Sequence, residues 1–169
     1  PNLKIRETLF AGRDYDMAKL REIYANSNLL LRRAVIISGI PDGIGRRRLL
    51  VEFINKINPN RKETHTPLSI GIKRDQSIED FILALNSLLL FEGNEELVKF
   101  LSTATREQKT AKAIRMLSYI CSRKEELLIR DDGAIVSNDG DICEWFEEIV
   151  TSNEIKQLVF FIASRNRFI

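Results

Sequence analysis

The chain has 169 residues, 44% apolar and 30% charged, which suits one domain with its own core and excludes a disordered polymer. Its net charge of +2 gives no general pull toward nucleic acid, and no apolar run is long enough to span a bilayer. No signal-peptide pattern opens it, and Cys121 and Cys143 lack metal spacing, so the reading is a cytoplasmic protein with reduced, buried thiols.

In chain order, Asp14–Asn26 reads as a short helix capped by Asp14, with Met17, Leu20, Ile23 and Tyr24 on one stripe. Ala34–Ser38 is a continuous apolar run, the pattern of a strand buried on both faces. A glycine-rich loop follows, and Arg46–Ile57 then places Leu49, Leu50, Phe53, Ile54 and Ile57 at helical spacing until Asn58-Pro59-Asn60 stops it. Thr66–Ile72 reads as a second strand. Ser77–Leu90 reads as a helix, with Ser77 and Asp80 at capping-box spacing and Ile78, Phe81, Ile82, Leu85, Leu88 and Leu89 on one face.

Helices are expected at Glu95–Ala104 and Arg106–Arg123, the second with Ala113, Met116, Leu117 and Ile120 inward. Glu126–Arg130 reads as a third strand running into Asp131-Asp132. Ser137–Asp141 is turn-like, Ile142–Val150 is a helix anchored by Trp145, Phe146 and Ile149, and Gln157–Ala163 is a fourth strand. Apolar strands alternating with helices predict an α/β fold, a parallel sheet with helices on both faces. Ligands in such sheets sit at the carboxyl ends of the strands, where the glycine loop, the Asp pair and Ser164-Arg165 all fall.

Three features at that edge carry chemistry. A P-loop runs glycine, four free positions, then Gly-Lys-Ser/Thr, so that backbone N–H groups and a helix N-terminus surround a phosphate. Here Gly39 is followed by five residues (Ile40, Pro41, Asp42, Gly43, Ile44) before Gly45-Arg46-Arg47, so the loop is one residue longer. Gly39, Gly43, Ile44, Gly45, Arg46 and Arg47 are the candidate phosphate contacts. Arg46 in the Lys position offers phosphate a fork rather than a point charge. Arg47 in the Ser/Thr position has no lone pair for Mg²⁺. The second feature is Leu127–Asp132, a hydrophobic strand ending in acids, the Mg²⁺-holding element of such enzymes. Asp131 would face the metal, and Asp132 would orient or deprotonate a water. The third is Ser164 with Arg165, placed to sense a γ-phosphate. The lone His65 has no partner for a metal site or triad, and Arg46–Arg48 lacks the aromatic interleaving of a nucleic-acid grip.

These segments together carry a resemblance. Glu7–Tyr24 (ETLFAGRDYDMAKLREIY) is similar to the entry segment of STAND-class P-loop ATPases, the NB-ARC and NLR-like group. AVIISGIPDGIG resembles their strand and P-loop, LLIRDD their acid-tipped strand, and VFFIASRNR their sensor strand, in the expected order from Leu9 to Arg167. The Gly45-Arg46-Arg47 step resembles bacterial members linked to TIR effectors in defence.

The resemblance implies a three-layer P-loop NTPase sheet with strand order 1-4-3-2, a fifth strand and lid being absent. It divides the chain into an entry segment and helix at 1–33 and a core at 34–169, cut from a longer protein. It implies an ATP- or ADP-gated switch that oligomerises and activates an attached effector. Without Lys or a Mg²⁺-ligating hydroxyl, little or no hydrolysis is expected. Two alternatives are a pseudo-NTPase scaffold that binds proteins without nucleotide and a working ATPase using Arg46 in place of Lys.

Overall fold

The computed structural model describes residues 34–38, 67–123, 125–137, 141–155 and 160–164, the first and last of these as backbone only. The helices expected at 14–26 and 46–57 lie outside the described residues. The elements are β1 (Ala34–Ser38), β2 (Leu68–Lys73), α1 (Ile78–Leu89), α2 (Asn94–Thr103), α3 (Arg106–Ser122), β3 (Leu127–Asp132), α4 (Glu144–Val150) and β4 (Phe160–Ser164). The strands form one four-stranded sheet in the order β1-β4-β3-β2, and every pair is parallel. The architecture is therefore α/β, a parallel sheet joined through helices.

Register fixes what faces what. Leu68, Ile70 and Ile72 stand opposite Leu127, Ile129 and Asp131. Side chains alternate across a strand, so these residues share one face. Ile70, Ile72, Leu127 and Ile129 pack there with Phe81, Ile82 and Leu85 of α1, Leu97 of α2, Met116, Leu117 and Ile120 of α3, and Phe146 and Ile149 of α4. Phe81 lies 5.4 Å from Trp145 and 6.1 Å from Phe146, centroid to centroid, and this aromatic trio ties α1 to α4. Leu128, on the opposite face, is also fully buried, so solvent is excluded from both faces of the sheet at that point.

The caps follow from sequence. The Ser77 N–H donates to Asp80 Oδ2 at 3.1 Å, and the Thr105 N–H donates to Gln108 Oε1 at 2.8 Å while Thr105 Oγ1 accepts from the Gln108 N–H. Most boundaries shift by a residue or two, β2 for instance running through Lys73 and α2 over Asn94–Thr103, and three shifts bear on the site. β3 continues through Asp131 and Asp132. α4 starts at Glu144 because Ile142 is taken into an antiparallel bridge with Val136. β4 includes Ser164. Among the described residues, no helix is long and apolar enough to cross a membrane.

Candidate functional site

The register brings the carboxyl ends of all four strands into one row. Ser38 pairs with Ser164, Ser164 with Asp131, and Asp131 with Ile72. Gly39 follows β1 directly and Arg165 follows β4 directly, so the expected loop and sensor start from this row. Gly39, Asp42, Gly43, Ile44, Gly45, Arg46, Arg47 and Arg165 themselves lie outside the described residues. Ser164 is placed as the last residue of β4 rather than after it.

Asp131 is only 2% exposed. Its Oδ1 accepts the N–H groups of Ala134 at 2.8 Å and Ile135 at 2.9 Å, and its Oδ2 accepts the Val136 N–H at 2.9 Å. The loop curls back over the strand end because Gly133 adopts φ 96°, a left-handed conformation that L side chains resist. Val136 then bridges Ile142, and the Cys143 N–H donates to the Ile135 carbonyl at 2.8 Å, so the carboxylate organises the whole path from β3 into α4. Burial pushes the Asp131 carboxyl above its usual range, with the backbone N–H donors pulling the other way. Burial, reinforced by the Asp131 charge, pushes the nearby Cys143 thiol up to about 11.

Mg²⁺ does not fit this carboxylate as it stands. The ion needs near-octahedral oxygen ligands and keeps several waters, whereas these oxygens face backbone donors and meet almost no solvent. Asp132, half-buried and opposite Lys73 in the register, is on the other face of β3. A strand running into an Asp-rich polar turn is the alternative the sequence offers for this motif; that the Asp131 carboxylate itself latches the turn is visible only in the structure.

Elsewhere, a cleft of about 480 Å³ between α3 and α4 is lined by Arg106, Thr110, Ile114, Glu148 and Glu154. Arg106 is held there by Glu144 at 2.9 Å and Glu148 at 2.5 Å, so its charge is already matched. Comparison with family models, curated proteins and solved structures finds no match to this chain.

Proposed function

We propose that the chain is a nucleotide-binding switch domain of the STAND P-loop type, binding ATP or ADP with little hydrolysis and acting through self-association or through other domains of a longer signalling or defence protein. The observation that carries the reading is the parallel order β1-β4-β3-β2 with Ser38, Ser164 and Asp131 in one row. That order sets the roots of the glycine loop, the sensor pair and the acid pair side by side, where α/β sheets take ligands.

In this reading the N–H groups of Gly43, Ile44 and Gly45 and the guanidinium groups of Arg46 and Arg47 hold the phosphates. Ser164 and Arg165 read the terminal phosphate. Asp131 positions the loop after β3, and Asp132 is the carboxylate assigned to orient water. No step is assigned to Mg²⁺. The poor fit of Asp131 to a cation favours binding over turnover.

Calorimetry with ATP and ADP, with and without Mg²⁺, tests this. Binding is expected in both conditions, and Arg46→Ala should weaken it roughly tenfold or more, the value of one charge-assisted contact. Absence of heat at millimolar nucleotide, with none recovered from the purified protein, would leave the scaffold reading, which the structural use of Asp131 also favours.

A further inference from the structure

Among the described residues, the large hydrophobic side chains left exposed are Leu90, Phe91, Val98 and Tyr119. Leu90 is 84% exposed and has φ 51°, a left-handed helix end where glycine is the usual residue. The tip it occupies is firmly held. The Leu90 N–H donates to the Asn86 carbonyl at 2.7 Å, and the Asn86 side chain grips both the N–H and the carbonyl of Glu92. The Phe91 ring lies 5.8 Å from that of Tyr119, and Glu92 pairs with Lys112. The chain thus holds a leucine out in solvent in a conformation that glycine would adopt at less cost.

The charges around the tip are divided. On α3, Arg106, Lys109 and Lys112 all have carboxylate partners. Arg115 and Arg123 are exposed with no carboxylate partner among the described residues, and Arg123 sits 5.8 Å over the Tyr119 ring. A few residues past the tip in the chain, Glu95 and Glu96 in the first turn of α2 are exposed and have no cationic partner among the described residues. The apolar tip thus adjoins the Tyr119–Arg123 end of α3 through ring contacts and the acidic first turn of α2 through the chain. Four residues separate α3 from β3, so the Tyr119–Arg123 end of α3 lies toward the start of β3, away from Asp131 at its far end.

We propose that this is a self-association surface on which a second copy of the chain docks about a two-fold axis. A two-fold contact requires a self-complementary patch. In the proposed dimer Leu90 and Phe91 meet their counterparts, and Arg115 and Arg123 pair with the partner's Glu95 and Glu96. An unrelated acidic segment would match only the basic half and leave Glu95 and Glu96 unmatched. The surface is independent of the nucleotide reading, because none of its residues belongs to the loop edge.

Sedimentation equilibrium of the chain without nucleotide, from about 1 µM to about 1 mM, tests this at the weak affinity expected of a small patch. A reversible dimer is expected. The double variants R115E/R123E and E95K/E96K should each be monomeric, and mixing them should restore a dimer, since every facing pair is then of opposite sign. Leu90→Gly should abolish the dimer without lowering the thermal midpoint, which separates docking from folding. A monomer throughout, a dimer indifferent to both charge reversals, or variants that fail to pair on mixing would overturn the proposal.

Discussion

Replacing Asp131 with Ala separates a loop latch from a metal ligand. The substitution removes the acceptors of three N–H groups, of which those of Ile135 and Val136 belong to residues 1% and 0% exposed. A buried orphan donor costs about 1–3 kcal/mol, and the half-buried Ala134 N–H can recover water. Loss of a buried charge returns part of the cost, which leaves a net destabilisation of about 3 kcal/mol. For a domain of this size that lowers the melting midpoint by about 6–12 °C. Asp131→Asn should fall between, because its oxygen keeps one or two donors while its amide nitrogen meets a backbone N–H. The assay is chemical and thermal denaturation without metal or nucleotide. A carboxylate present only to bind a cation would show the reverse, with the alanine variant as stable as the parent. A midpoint shift under about 2 °C would refute the latch.

Three further outcomes are expected. Glu79, whose bond to Lys109 is 2.7 Å long, is held at about 2 against an ordinary 4.5, chiefly by that bond and then by Ser77. Its stabilisation is complete above pH 4.5 and is lost as pH falls toward 2; with the carboxylate partly exposed it is worth about 1 kcal/mol. Glu79→Gln should flatten that part of the stability–pH curve, and parallel curves would contradict it. Asn86→Ala strips both partners from Glu92 at a 5% exposed site and should cost about 2 kcal/mol in urea unfolding, with an unchanged m-value. Cys143, with its thiol near 11 against an ordinary 9, should alkylate at pH 8 about a hundredfold more slowly than an unperturbed thiol; a Cys121→Ser background isolates the rate.

The strand-and-helix alternation was legible because each described element carries its own periodicity. Ala113, Met116, Leu117 and Ile120 are inward as spaced, and Phe146 and Ile149 anchor α4. What escaped depends on partners distant in the chain. Aspartate is a poor strand former, so the reading ended β3 at Arg130. The ladder nonetheless runs on to Asp132, with the Asp131 carboxylate spent on N–H groups three to five residues ahead. Ile142 fits helical spacing, yet a bridge to Val136 takes it. Asn86 passes for an ordinary helix residue until Glu92 folds back onto it.

The candidate site divides along the same line. Glycine content and apolar runs locate a ligand edge, because those properties are local. They do not say what a carboxylate at that edge touches. Two adjacent acids on one strand point to opposite faces, so at most one of them shares the helix-covered face with Ile70 and Ile129. Asp131 takes that face, is buried there and shapes the loop. Asp132 takes the other. An acid pair that reads as two parts of one catalytic centre is thus split by strand geometry into a structural residue and a candidate chemical one, and hydrolysis would rest on Asp132 without its neighbour's help.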